Sequence, residues 1–211
     1  MISVIIPAYN EEKYLEQTII SVRSQLVPHE VIVVPNGCTD NTEKIAKKFA
    51  DKTISIKTRG VSKARNKGAS ISKYNTLVFL DADTTLSKNV LNHISKCKGY
   101  GTARAAPCSK NLKDNIYFFL KFLTQYARSS AGLIFCSKEI FNKVGGFDES
   151  LSKFEDGIFL KKANKHAKFY VITSPVHPST RRYQKIGYAN TVLFWIKEYF
   201  FPSKKEYEAI R

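Results

Sequence analysis

Thr76-Leu77-Val78-Phe79-Leu80 is an unbroken apolar run that stops at two carboxylates, Asp81-Ala82-Asp83. A continuous run of this kind describes a strand buried on both faces, the condition of strands in a parallel sheet. Three more β-rich runs precede it, Ser3 to Ile6, Glu30 to Val34 and Thr53 to Ile56, separated by segments with helical spacing. That alternation predicts an α/β fold with a mostly parallel, Rossmann-like central sheet flanked by helices. Leu15, Ile19 and Val22 fall on one face of the first helix. Asp40-Asn41-Thr42-Glu43 reads as a capping box that opens the second, before Ile45, Ala46 and Phe49.

Beyond Asp83 the order is less regular. The pattern predicts a helix from about Lys88, a strand of small residues from Thr102 to Ala106 and an aromatic helix around Ile116 to Tyr126. A strand from Gly132 to Cys136 and a helix capped at Gly145-Gly146 follow. The expected organisation is one domain over residues 1–190, with a functional division near residue 100, and a C-terminal aromatic and basic helix over 191–211.

The 211 residues suit a single domain, and 43% hydrophobic with 12% aromatic residues is enough apolar surface for a sizeable core. Cys38, Cys97, Cys108 and Cys136 show neither zinc-like spacing nor a disulfide framework, which predicts plain buried thiols in a reducing compartment. The first residues read as a strand rather than a signal peptide, so the expectation is cytoplasmic. No apolar segment approaches the roughly 20 residues needed to span a bilayer. With 34 Lys and Arg against 18 Asp and Glu the sequence carries +16, a field that attracts phosphates, anionic lipid or nucleic acid.

Ligands of open α/β sheets bind where strands deliver their carboxyl ends. Three such ends here run into polar loops: Pro7-Ala8-Tyr9-Asn10-Glu11, Pro35-Asn36-Gly37-Cys38-Thr39-Asp40, and Asp81-Ala82-Asp83. Glycine-rich phosphate loops are missing, so phosphate must be held by a metal and basic side chains. Asp81 and Asp83 supply hard oxygen ligands suited to Mg²⁺ or Mn²⁺, with a diphosphate completing the shell. Alone, the same pair reads equally well as an acidic turn before a helix.

Val4-Ile5-Ile6-Pro7-Ala8-Tyr9-Asn10-Glu11-Glu12, Gly60-Val61-Ser62-Lys63-Ala64-Arg65-Asn66-Lys67-Gly68 and Leu80-Asp81-Ala82-Asp83 together resemble the family 2 glycosyltransferases of GT-A fold. Gly146-Phe147-Asp148-Glu149 and Glu155-Asp156 continue the resemblance in order, over roughly residues 2 to 185. It implies a nucleotide-sugar donor (UDP- or GDP-sugar) held by the Pro7 to Glu11 loop, Arg65, Asp81 and Ala82, with a metal on Asp83 and Asp156 as catalytic base. It also implies a donor half over about 1–100, an acceptor half over about 101–190, and inversion at the anomeric carbon in one displacement. Many relatives carry a carboxylate where this chain has Pro35; Asn36 is the candidate replacement, and the base preference stays open. In His177-Pro178-Ser179-Thr180-Arg181-Arg182-Tyr183, where relatives place a mobile loop, Arg182 is the expected diphosphate contact, while His177 reads as a satisfied structural residue.

Ile116 to Tyr126 and Val192-Leu193-Phe194-Trp195-Ile196-Lys197-Glu198-Tyr199-Phe200-Phe201 have the composition of membrane-interface helices, and equally of core or subunit packing. The acceptor is read as a glycan or a polyprenyl-phosphate-linked molecule, with peripheral contact at the inner membrane face. A sugar-binding relative without turnover is the main alternative. A nucleotidyl transferase and a nucleic-acid-binding module rank lower: the first lacks its phosphate loop, and an acidic pocket opposes a polyanion.

Overall fold

The structure is a computed structural model that describes residues 1–108, 111–125, 129–130 and 132–200; the side chains of 123, 124, 182, 195, 196 and 198–200 lie outside the description. In chain order the elements are β1 (Ile2–Ala8), α1 (Leu15–Arg23), β2 (His29–Pro35), α2 (Thr42–Phe49), β3 (Lys52–Thr53), α3 (Val61–Ile71), β4 (Thr76–Leu80) and β5 (Thr84–Leu86). The second half adds α4 (Val90–Ser95), β6 (Tyr100–Ala105), α5 (Leu112–Gln125), β7 (Leu133–Ser137), α6 (Lys138–Val144), α7 (Glu155–Ala163), β8 (Phe169–Pro178), α8 (Arg181–Ile186) and α9 (Tyr188–Phe200).

The strands form one sheet in the order β3-β2-β1-β4-β7-β6-β8-β5. β1, β2, β3 and β4 are mutually parallel, as are β6 and β8. β7 runs against both β4 and β6, and β5 runs against β8. This reversal at β7 leaves β1, β2, β4, β6 and β8 all ending at the same edge.

The pleat sorts the apolar runs into two cores. Val4, Ile6, Val31, Val33, Val78 and Leu80 pack with Leu15, Ile19 and Val22 of α1 and with Val90, Leu91 and Ile94 of α4. Ile5, Ile32, Val34, Leu77 and Phe79 pack on the other face with α3, α6 and α7. Contact on both faces explains why these strands read as continuous apolar runs. α3 can lie close because Gly68 carries no Cβ: one added there would meet Ile5 Cγ2 at 2.3 Å.

Several local expectations change. The strand expected over Thr53 to Ile56 is reduced to Lys52–Thr53, with one isolated bridge from Ile56 to Asn36. The capping box is replaced by a different capping arrangement. Asp40 accepts from the N–H of Thr42 at 3.0 Å and of Glu12 at 3.2 Å, while Glu43 pairs with Lys47. Of the four thiols only Cys136 is buried; Cys38 and Cys97 are half-buried and Cys108 is exposed. The His177 to Tyr183 stretch is the end of β8 followed by the start of α8. Gly145 caps α6 with φ +81°, as its position predicts. No helix among the described residues is long and apolar enough to cross a membrane.

Candidate active site

The loops after β1 and β2 are laced together at the carboxyl edge. Thr39 N–H donates to Asn10 Oδ1 at 2.8 Å, and Asn10 Nδ2 donates back to Thr39 Oγ1 at 3.2 Å. Asn10 holds φ +52°, a left-handed conformation that asparagine tolerates better than most side chains. Glu11 N–H donates to Thr42 Oγ1 at 2.7 Å, and Glu12 accepts from the backbone and side-chain nitrogens of Asn41 at 3.0 Å. Tyr9 is half-buried with the Arg59 guanidinium 4.7 Å from its ring centre. An arginine in a polar loop carries no pattern of its own, so Arg59 is not legible from sequence.

Pro7, Ala8 and Ala82, expected to touch the donor, are buried. Pro7 and Ala8 lie inside β1, paired in register with Val34 and Pro35. Ala82 packs its methyl into the core and uses its carbonyl to accept from Thr18 Oγ1 at 2.8 Å. Asn36 is 3% exposed, its Nδ2 donating to the Ala8 carbonyl at 2.8 Å and its Oδ1 accepting from Gly60 N–H at 3.2 Å. In this position Asn36 braces the sheet edge against the start of α3.

Two guanidiniums organise the carboxylates. Arg65, 5% exposed, donates to Asp81 Oδ1 and to Glu155 Oε1, each at 2.9 Å, with its carbon 5.0 Å from the Phe147 ring centre. Burial opposes its charge, but Asp81, Glu155 and Asp156 outweigh burial and hold its pKa above the ordinary arginine value. The next residue, Asn66, fixes the Gly146-Phe147-Asp148-Glu149 segment: its Oδ1 accepts from Phe147 N–H at 2.9 Å and its Nδ2 donates to the Phe147 carbonyl and to Glu149. Two motifs some 80 residues apart are thereby one structural unit.

Arg181 forks onto Glu11 with two hydrogen bonds of 2.8 Å and also reaches Asp83 Oδ2 at 2.8 Å. Tyr14 lies under it, 4.6 Å away. Arg181 is thus a cation beside Asp83 that the sequence did not single out; the side chain of Arg182, the expected diphosphate contact, lies outside the described residues. Burial raises the pKa of Asp83, Arg181 lowers it and Asp81 raises it again. Burial likewise raises Glu155, against the pull of Arg65.

Asp156 stands in the first turn of α7, entered through Phe154 at φ +59°. Its Oδ1 accepts from Gly157 N–H at 2.7 Å and its Oδ2 from the hydroxyl of Ser130. A bulky residue in left-handed backbone costs on the order of 1 kcal/mol or more and is found where surrounding structure fixes it. His177 is satisfied, as expected: Nδ1 donates to the Ala106 carbonyl at 3.0 Å, and Nε2 accepts from Ser87 Oγ at 2.7 Å.

Among the described residues no three His, Cys, Asp or Glu side chains converge on a metal position. The carboxylate that fits a divalent cation is Asp83. It is raised by burial, held by a single described guanidinium, and followed back two residues by Asp81. One or two such oxygens make a partial shell of the kind that a nucleotide's phosphates complete.

Together the mixed sheet and the carboxylates that follow β4 correspond to a fold of the GT-A type. Residues 3–96 match the model of glycosyl transferase family 2. It is 36% identical over 110 residues to glycosyltransferase AglE of Haloferax volcanii, a match covering 47% of this chain and 36% of that protein. It is 35% identical over 106 residues to the minor teichoic acid biosynthesis protein GgaA of Bacillus subtilis, covering 44% of this chain and 24% of that protein. The chain therefore spans well under half the length of these relatives.

Among solved structures, Staphylococcus aureus TarS 1-349 in complex with UDP-GlcNAc superposes with a TM-score of 0.66 at 21% identity, covering 82% of this chain and 56% of that one. The mannosyltransferase PcManGT of Pyrobaculum calidifontis, in complex with GDP-Man and Mn²⁺, gives 0.63 at 23% identity, covering 82% and 54%. At these identities the likeness establishes the fold.

Proposed function

We propose that the chain is a metal-dependent, inverting glycosyltransferase that moves a sugar from a UDP- or GDP-sugar to a glycan or polyprenyl-phosphate-linked acceptor. The observation that carries this reading is the Arg65 clamp, which ties Asp81, at the end of the donor strand, to Glu155, the neighbour of Asp156. Solved proteins of the same fold hold UDP-GlcNAc in one case and GDP-Man with Mn²⁺ in another, which supports a nucleotide-sugar donor. The working division is a donor half over 1–100, an acceptor half over 101–190 and a C-terminal segment from 191, of which 201–211 lie outside the described residues, with the enzyme acting at the cytoplasmic membrane face.

Asp83, with Asp81, would hold the Mg²⁺ or Mn²⁺, whose charge offsets that of the departing diphosphate. Tyr9, Asn10 and Glu11 line the base and ribose side, and Asp81 meets the ribose. Arg65 contributes to the donor by setting Asp81. Arg181, with Arg182 beside it, faces the diphosphate. Asp156, oriented by Ser130 and Gly157, takes the proton of the acceptor hydroxyl as that oxygen bonds to the anomeric carbon. The bond from that carbon to the diphosphate oxygen breaks in the same displacement, which inverts the configuration.

Asp156→Asn tests this assignment. Sugar transfer falls by at least about a hundredfold while donor affinity, measured by calorimetry, stays within about threefold. Unchanged turnover would remove Asp156 from the mechanism. A nucleotide-sugar binder without turnover is the second reading, favoured by Pro35 in place of a loop carboxylate; it predicts donor binding with no transfer in wild type and variant alike.

A further inference from the structure

We infer that the outer face of α5, with the adjoining surfaces of α8 and α9, is a docking surface for an anionic lipid bilayer. The inference rests on the proposed reading of a membrane-presented acceptor and names the surface that meets the membrane. α5 is polar on the wrong side for a helix that ends in water. Its buried positions include Asp114 and Gln125, and Gln125 is spent on β6, donating to the Ala103 carbonyl at 2.6 Å and accepting from Ala105 N–H at 3.1 Å. Its outward positions are Leu112, Ile116, Phe119 and Leu120, which are between 53% and 71% exposed. At 100° per residue these four fall within a stripe about 100° wide, opposite Phe118 and Gln125. Surface leucines occur singly; four on one stripe mark a contact.

Ile186 of α8 and Val192 and Leu193 of α9 add exposed apolar surface. The three helices are one platform, because Tyr117 of α5 packs on Tyr183 of α8 at 4.5 Å and on Tyr188 of α9 at 5.3 Å. Beside the stripe a cleft of about 310 Å³ is lined by Phe118, Phe119, Phe122 and the exposed Arg104.

Charge selects the occupant. Among the described side chains of these helices Asp114 is the one carboxylate, and it is buried, whereas Lys113, Lys185 and Lys197 are exposed. Apolar residues ringed by lysines suit an interface of acyl chains and anionic headgroups. A second copy of a chain carrying +16 would set the same lysines against one another. A nucleic acid has no use for the leucines. The surface is also tied to the chemistry: α8 begins at Arg181, which holds Asp83, and Ser130, bonded to Asp156, follows α5 by five residues.

The test is flotation of the full chain with vesicles of phosphatidylglycerol and phosphatidylcholine, against phosphatidylcholine alone, at about 0.15 M salt. Three exposed lysines, at about 1 kcal/mol each, predict roughly a tenfold or greater preference for the anionic vesicles. Ile116→Ser combined with Leu120→Ser, both at exposed positions, lowers the bound fraction by about tenfold and leaves vesicle-free release of nucleoside diphosphate unchanged. No binding to anionic vesicles, or equal binding by the double variant, overturns the inference. So does a dimer seen by light scattering that the double variant converts to monomer without vesicle binding, since the face would then join two copies. Flotation without any donor turnover sinks the transferase reading and leaves the surface standing.

Discussion

Arg65 donates to Glu155 across ninety residues of chain at 2.9 Å, and its other terminal nitrogen reaches Asp81 at the same distance. One side chain thereby ties the loop after β4, which bears Asp83, to the start of α7, which bears Asp156.

Removing that cation leaves Glu155 buried beside Asp156 with no opposing charge. Breaking a buried pair from one side typically costs about 3 kcal/mol or more. Arg65→Met is expected to lower stability by about that amount in urea unfolding, and Arg65→Lys by less, since a single ammonium cannot fork onto both carboxylates. Equal stability in all three proteins would show that the carboxylates do not depend on this guanidinium.

Glu30 ties β2 to the end of α3 at the opposite edge. It accepts from Ser3 Oγ at 2.6 Å and Lys73 N–H at 2.5 Å, and pairs with Lys52 at 2.9 Å. Burial pushes its pKa up, but these donors outweigh burial and hold it below the ordinary glutamate value. A depressed carboxylate contributes stability above its unfolded pKa and loses that contribution as pH falls through the folded one. Glu30→Gln is therefore expected to cost about 1–2 kcal/mol at neutral pH, with the two unfolding curves converging as the pH drops below the glutamate range. A gap independent of pH would contradict the assignment.

Gly68 sits where α3 presses on β1, and a Cβ there would lie 2.3 Å from Ile5 Cγ2. Gly68→Ala is expected to destabilise by about 1–3 kcal/mol despite the better helix propensity of alanine, because Ile5 is locked in the core. Chemical denaturation reads the sign directly; a stabilised variant would show that the helix can move away without loss.

The strands β1, β2 and β4 were legible because both faces are buried, so each is a continuous apolar run with a polar loop at its end. Asp81, Asp83 and Asp156 were legible as short motifs in order. β5, at three residues, is too short to show a period, and β8 is broken in pattern by Ser174 and Pro175. Arg181 was not legible because its partner Glu11 lies 170 residues away in the chain, a pairing that local pattern does not encode. Pro7, Ala8 and Ala82 sit inside motifs yet point into the sheet or core, because a motif marks a backbone path as well as side chains that touch a ligand. Ser130 meets Asp156 through a tertiary fold that local sequence does not encode.

The central claim is a nucleotide-sugar site whose metal rests on Asp83. It is tested most directly by release of free nucleoside diphosphate from UDP-, GDP- and dTDP-sugars with Mn²⁺ or Mg²⁺, in wild type and Asp83→Ala. Slow donor hydrolysis needs no acceptor. The account predicts metal-dependent release from one donor class, reduced at least about a hundredfold by the substitution; release that is independent of metal and untouched by Asp83→Ala would contradict it.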